Sequence, residues 1–174
     1  MTPPITTARL TLAGHAPDDL EPCAAMWAEP AVYAMIGGVP RTREEVWIRL
    51  LRSIGQWQAF GYGSWVVRET ATGRFAGEVG LLEARRAIIP TIDDAPEVGW
   101  TLASWAHGRG FAREALGAVF AWADARAIAR TRCIIDPANA ASLRLAAHVG
   151  YGTPITGLYH AKPILILERA ATTA

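Results

Sequence analysis

Apolar positions follow two periods along the chain, and the change from one period to the other predicts the order of the elements. Segments with apolar residues every three or four positions predict four helices, at about 18–28, 42–57, 110–127 and 139–149. Shorter segments rich in β-branched and aromatic residues predict seven strands, at about 8–13, 62–69, 75–82, 97–104, 132–135, 151–158 and 163–169. Because the strands cluster and the helices punctuate them, the pattern favours a mixed sheet in an α/β or α+β fold.

Capping residues support the helix boundaries. Asp18, followed by Glu21, predicts the start of the first helix, and Thr42 with Glu45 forms a capping box for the second. Gly150 suits the position just after the last helix, where a left-handed residue commonly ends the final turn. The second helix carries an apolar stripe of Val46, Trp47, Leu50, Leu51, Ile54 and Trp57.

Composition and charge narrow the class of protein. The chain has 174 residues, which fits a single domain, 1–174, with a substantial core. Apolar residues make up 51% and charged residues 19%, which favours a folded protein over a disordered one. The net charge is +1 and the basic residues are dispersed, so we expect neither nucleic acid nor an anionic membrane as a partner.

We expect no leader, membrane segment or metal site. Residues 1–10 lack the apolar core of a signal peptide, and no apolar run approaches the roughly 18 residues that a membrane span needs, which together favour a cytoplasmic location. Cys23 and Cys133 lie far apart in apolar settings, as is typical of buried thiols. His15, His148 and His160 do not have the spacing of metal ligands.

The segment His107-Gly108-Arg109-Gly110-Phe111-Ala112-Arg113-Glu114-Ala115 joins a predicted strand to a predicted helix. Glycines at such a turn let a ligand approach the main chain, and the first N–H groups of a helix, at the positive end of its dipole, favour an anion. Glycine pairs also serve as plain turns. No Gly-Lys-Ser/Thr follows, and Arg113 stands where a dinucleotide fingerprint needs its third glycine. The sequence therefore predicts a ligand other than a nucleoside triphosphate or NAD.

A second polar segment, 136–151, begins about thirty residues later with Asp136-Pro137-Ala138-Asn139. Asn139 has two interpretations: it caps the helix that follows, or its amide reaches into the cleft between two parallel strands. Ser142, in the first turn of that helix, likewise has a local or a catalytic interpretation.

Together the two segments resemble the GNAT-type N-acetyltransferases. Gly110 and Ala112 match the acyl-CoA pyrophosphate loop of that family, and its second block is matched by Asn139, Ser142, Gly150 and Tyr151. The stretches 7–12, 97–100 and 112–115 look like the ribosomal-protein N-terminal acetyltransferase branch (RimJ/RimL-like). The resemblance implies a largely antiparallel sheet in which two central parallel strands splay apart to hold acyl-CoA.

The resemblance implies acetyl-CoA as co-substrate, with no metal. The main chain near Leu102 would pair with the pantetheine arm, and Asn139 would hold the arm from the other side. The residues expected to bind the cofactor are Leu102, His107, Gly108, Arg109, Gly110, Phe111, Ala112, Arg113, Asn139 and Ser142.

The implied reaction is direct attack of a primary amine on the thioester. Glu97 and Glu78, on neighbouring central strands, are the candidate bases, and the N–H group near Leu102 would stabilise the oxyanion. The family often uses a tyrosine to protonate the thiolate, but Ala146 stands at that position, so Ser142 is the expected substitute.

Several interpretations stay open. The acceptor is a protein N-terminus or a small amine such as an aminoglycoside, and Asp93 and Asp94 are candidates to attract a cationic amine. A catalytically silent acyl-CoA-binding regulatory module is the alternative to an enzyme. The oligomeric state is expected to be a monomer or a homodimer.

Overall fold

One mixed sheet organises the fold in the computed structural model, which describes residues 2–171. Its strands are β1 (Ile5–Thr6), β2 (Leu10–Ala13), β3 (Ser64–Glu69), β4 (Phe75–Leu82), β5 (Ile88–Ile89), β6 (Glu97–Leu102), β7 (Arg130–Ile135), β8 (Ile155–Tyr159) and β9 (Lys162–Ala170). Their order across the sheet is β1-β2-β3-β4-β6-β7-β9-β8-β5. The pair β6 and β7 is parallel, and the other neighbours are antiparallel.

Helices cover both faces of this sheet. They are α1 (Leu20–Trp27), α2 (Pro30–Tyr33), α3 (Arg43–Phe60), α4 (Phe111–Asp124) and α5 (Ala140–His148). Single 3₁₀ turns occupy Pro17–Asp19 and Ser104–Ala106. The predicted mixed class is confirmed, with its seven strands and four longer helices; the two-residue strands β1 and β5 and the short α2 are additions that no pattern of that length could predict.

Two details of the predicted helices are wrong. Asp19, and not Asp18, is the N-cap residue of α1, because the carboxylate of Asp19 already accepts the Ala16 N–H at 2.8 Å and closes the preceding 3₁₀ turn. On α3 the capping box of Thr42 is confirmed. However, Leu51 and Ile54 are exposed, because only the Val46, Leu50 and Trp57 side of the helix reaches the sheet.

The sheet separates two apolar clusters. One face, packed by α4, buries Val79, Leu81, Leu102, Phe111, Leu116 and Val119. The other face, packed by α1 to α3, buries Cys23, Met26, Trp27, Val46 and Val66. Side chains alternate between the faces of a strand, so a polar residue in the middle of β4 or β6 lies between a helix layer and the sheet.

The two parallel strands separate soon after they meet. Their pairing is confined to Glu97 opposite Arg132, with the Arg132 N–H donating to Pro96 O at 2.9 Å. Beyond Glu97, β6 continues to Leu102 beside β4 alone. The predicted splay of the parallel pair is therefore present, and it opens a cleft at the carboxyl end of β6.

Candidate active site

The loop between β6 and α4 adopts a backbone conformation that favours glycine at two points. Gly108 and Gly110 have φ angles of +71° and +76°, and Gly110 is the N-cap residue of α4. These left-handed angles turn the chain sharply enough for α4 to start directly above the end of β6.

The N–H groups of this loop are available to a ligand. Within residues 2–171, the main-chain N–H groups of 108–113 have no acceptor, and the first intrahelical bond runs from Glu114 N to Gly110 O at 3.1 Å. The positive end of the helix dipole lies at the same place. The N-terminus of α4 thus presents unpaired N–H groups, and their binding of an anion stays a prediction.

The first hairpin anchors this loop through Glu114. One carboxylate oxygen accepts the Thr7 hydroxyl at 2.6 Å and the Arg9 N–H at 2.8 Å, and the other accepts Arg9 Nε at 2.7 Å. Arg9 also donates to Arg109 O at 2.9 Å. Burial alone would raise the pKa of Glu114, but the hydrogen bonds from Thr7 and Arg9 lower it.

Some side chains of this loop stabilise the fold, and others stay available to a ligand. Arg109 pairs with Glu69 at 2.6 Å, so its charge is already compensated. The ring of His107 lies 2.8 Å from Leu102 O and ties the loop to the end of β6. Arg113 lines a groove of about 450 Å³ along α4, with Gly150 among the lining residues.

The open edge of β6 follows from its pairing with β4. Ala103 N–H donates to Ala76 O at 2.9 Å, so the alternate residues of β6 direct their main chain to β4. Trp100 and Leu102 consequently direct theirs to the cleft. The carbonyl oxygen of Leu102 contacts the ring of His107. The main-chain N–H group of Leu102 therefore stays available at the cleft.

Helix α5 forms the other wall. The side-chain oxygen of Asn139 accepts the Ser142 N–H at 3.0 Å, so Asn139 is the N-cap, and its NH₂ group has no partner among residues 2–171. The Ser142 hydroxyl lies 3.3 Å from the indole nitrogen of Trp100. Both interpretations of Asn139 are therefore compatible, since the cap uses only its oxygen.

Glu78 lies in the middle of β4, opposite Thr101 and one position from the Gly77–Leu102 pair. Its carboxylate lies 2.7 Å from His15 Nε2 and accepts Trp27 Nε1 at 3.0 Å. Burial alone would raise the pKa of Glu78, but the hydrogen bond with His15 and the positive charge of Arg49 help to lower it overall. Glu78 is thus a carboxylate at neutral pH.

Glu97 occupies a different environment. Its carboxylate accepts Arg86 Nε at 2.7 Å, and the residue is 6% exposed. It precedes Leu102 by five positions, about 16 Å along a strand. The structure therefore does not bring the two candidate bases together: Glu78 lies near the open end of β6, and Glu97 at its closed end.

A small pocket joins Glu78 to helix α3. Its walls include Arg49, Arg52 and Ser53 from α3, and Glu78, Trp100 and Thr101 from the sheet. Sequence reasoning missed the arginines, as well as the contacts of His15 and Trp27 with Glu78. The signal was available, since Arg49, Arg52, Ser53 and Gln56 repeat at helical spacing as a polar stripe beside the apolar one.

The remaining residues considered from the sequence are buried in the core or paired with other side chains. Ala146 is fully buried, and Tyr151 is a core residue, as its position predicted. Asp94, considered for attracting an amine, pairs instead with Arg130 at 2.6 Å and also with Arg132. Cys23 and Cys133 are buried free thiols, as predicted.

Within residues 2–171, no group of ligating side chains has the arrangement to hold a metal ion. No helix in the same range is long and apolar enough to cross a membrane.

Comparison with known proteins gives one family. The model of the GNAT acetyltransferase domain matches residues 9–152. The uncharacterized protein YkkB of Bacillus subtilis (strain 168) is 28% identical over 113 residues, which cover 64% of this chain and 63% of that protein. The chain thus matches less than two thirds of this curated relative.

Solved structures share the whole fold. A GnaT-family acetyltransferase of Bordetella pertussis superposes with a TM-score of 0.86 at 30% identity, covering 97% of this chain and 100% of the other. The ribosomal L7/L12 alpha-N-protein acetyltransferase RimL, in complex with coenzyme A, superposes with a TM-score of 0.77 at 15% identity, covering 97% and 98%. At that identity the second likeness concerns the fold alone.

Proposed function

This chain belongs to the GNAT acetyltransferase family and is an N-acetyltransferase, and we propose that it transfers the acetyl group of acetyl-CoA to a primary amine by direct attack. The proposed unit is one acyltransferase domain over 1–174, of which residues 1 and 172–174 lie outside the described residues. Monomer or homodimer stays a prediction, as does assignment to the ribosomal-protein branch.

The residues around the cleft suit acetyl-CoA. A diphosphate matches the N–H groups of 108–113 and the start of α4, which need no side-chain ordering to bind it. The amides of the pantetheine arm match the open edge at Trp100 and Leu102, in the manner of an added strand. The free NH₂ group of Asn139 faces the same arm in this proposal. The RimL complex with coenzyme A supports a ligand of this kind in this fold.

In the proposed reaction, acetyl-CoA supplies the thioester carbonyl that the amine nitrogen attacks. The C–N bond forms, and the Leu102 N–H donates to the oxygen that becomes negative. The nitrogen becomes strongly acidic once it bonds to carbon. The ionised carboxylate of Glu78 is therefore basic enough to accept its proton, which then passes to water. The C–S bond then breaks, and the Ser142 hydroxyl donates a proton to the thiolate before regaining one from water.

Glu78 is preferred to Glu97 as the base for a physical reason. Glu78 lines the pocket beside the open end of β6, whereas Glu97 is bound to Arg86 where the parallel strands meet. A base must lie within hydrogen-bond reach of the proton it removes, directly or through one water. We assign Glu97 a structural role that ties β6 to the segment after β4 through Arg86.

The observation that carries the proposal is the series of unpaired N–H groups at the start of α4, beside a strand edge that is also unpaired. The test is thiol release from acetyl-CoA across a panel of amines and N-terminal peptides. The buried Cys23 and Cys133 would contribute little background to a thiol reagent. Release with at least one amine supports the proposal, whereas coenzyme A binding without release from any amine supports a silent binding module.

A further inference from the structure

Two arginines in the pocket lack a carboxylate partner. Arg49 and Arg52 line it from α3, and within residues 2–171 neither forms an ion pair. Among residues 2–171, five further arginines also lack such a partner, whereas nine lie within 4.0 Å of a carboxylate. These are Arg9, Arg43, Arg68, Arg85, Arg86, Arg109, Arg130, Arg132 and Arg169.

Among the described residues Arg49 forms no direct ion pair, although the charge of Glu78 acts on it across the pocket. Its guanidinium lies 4.5 Å from the centre of the Trp27 ring, and its Nε is buried with no hydrogen-bond partner. Arg41 lies over the same ring at 5.0 Å and adds a further positive charge nearby. A buried donor without an acceptor is costly, so a carboxylate that reached this nitrogen would be stabilised.

Both arginines stay charged at neutral pH. Burial lowers the pKa of Arg49 to about 10, and burial together with the charge of Arg86 lowers the pKa of Arg52. The pocket therefore has positive charge on its α3 wall and a negative charge, Glu78, on its sheet wall. The volume of the pocket is about 50 Å³.

From this arrangement we infer that the acceptor is a free amino acid, whose amine faces Glu78 and whose carboxylate is bound by Arg49 and Arg52. The inference rests on the proposed function and specifies its substrate class. A bidentate guanidinium–carboxylate contact would fix the orientation of such a small acceptor. The same charges disfavour polyamines and aminoglycosides, because their additional ammonium groups would meet two guanidinium groups.

The test compares matched acceptors with the full chain and acetyl-CoA. Each standard amino acid is assayed beside its carboxamide, which removes the negative charge and also lowers the pKa of the amine, so kcat/KM from thiol release is expressed per unprotonated amine. We expect the best amino acid to exceed its carboxamide by at least about tenfold, or 1.4 kcal/mol. Arg52→Gln should reduce this ratio to within about threefold, and Arg52→Lys should retain part of it.

Arg126→Gln is the matched control, because Arg126 also lacks a carboxylate partner among residues 2–171 but stacks on Trp122, away from the pocket. It should leave the ratio unchanged. Equal use of amino acids and carboxamides, or a preference for spermidine or an aminoglycoside, overturns the inference while leaving the acetyltransferase intact. Failure of every amine to release thiol overturns the proposed function, and the inference with it.

Discussion

The indole nitrogen of Trp100 lies 3.3 Å from the hydroxyl of Ser142, and this contact bridges the cleft between β6 and α5. An indole N–H can only donate, so the Ser142 oxygen accepts from it and keeps its own hydrogen for another acceptor. The contact thereby fixes the position of a hydroxyl at the cleft, in a chain that has Ala146 where the family often has a tyrosine.

Ser142→Ala should lower kcat about 100-fold with little change in the KM for acetyl-CoA, because it removes a proton donor that acts only as the thiolate leaves. The helix should stay capped, since Asn139 accepts the main-chain N–H of residue 142. Trp100→Phe, which keeps a ring but removes the donor to Ser142, should cost less than about tenfold. Steady-state kinetics check both, and an unchanged kcat in Ser142→Ala would remove Ser142 from the mechanism.

Glu78→Gln should lower kcat/KM about 100-fold, since the amide cannot take the proton from nitrogen. The wild-type pH profile provides a second check. Because the pKa of Glu78 is lowered, its carboxylate stays ionised throughout pH 5–8, and the rise of activity in that range should follow loss of the proton from the free amine. A wild-type limb near pH 6–7 that disappears in Glu78→Gln would contradict this assignment.

Two substitutions of Asn139 distinguish its role as a helix cap from its role in binding coenzyme A. Asn139→Ser keeps an oxygen that can cap α5 but removes the NH₂ group, whereas Asn139→Ala removes both. We expect both variants to bind coenzyme A about three- to tenfold more weakly in calorimetry. Only Asn139→Ala should lose stability, by about 1 kcal/mol in denaturant unfolding. If Asn139→Ser binds coenzyme A as well as the wild type, Asn139 is a cap alone.

Glu114→Gln should reduce the free energy of unfolding by about 1–2 kcal/mol at pH 7, a modest value because Arg9 is half-exposed and its charge is screened. Folding lowers the pKa of Glu114, and this sets how its contribution to the free energy of unfolding changes with pH. Its contribution is complete above the pKa of the unfolded glutamate, about 4.3, and is lost as pH falls through the folded value. The difference between wild type and variant should therefore shrink below about pH 4, and a difference that grows there would contradict the contact.

Much of the cleft could be predicted from sequence because its features are local. The glycine spacing at Gly108 and Gly110 sets backbone angles directly, and the capping position of Asn139 depends on its neighbours in the chain. The parallel pair of β6 and β7 follows from a strand-helix-strand segment, whose connection has a fixed hand. These features depend on neighbouring residues and not on the packing of distant parts of the chain.

The acceptor side could not be predicted in this way. Glu78 and Glu97 both appeared as polar residues on central strands, and only the end at which β6 separates from β7 distinguishes them. The contact of His15 with Glu78 joins residues 63 positions apart, and Arg49 and Arg52 reach the pocket because α3 packs across the sheet. These relationships depend on the order of strands and on helix packing, which no local period encodes.

Binding of coenzyme A by Gly110→Asp, measured by calorimetry against Gly110→Asn, tests the diphosphate site most directly. The two side chains are nearly isosteric and both stand at a φ of +76°, with Arg9 Nη2 3.4 Å from the position of the added Cβ, so the main difference is the negative charge beside the unpaired N–H groups. We predict that Gly110→Asp binds coenzyme A at least about 30-fold more weakly than Gly110→Asn, or 2 kcal/mol. Affinities within about threefold of each other would contradict the assignment of this loop to the diphosphate.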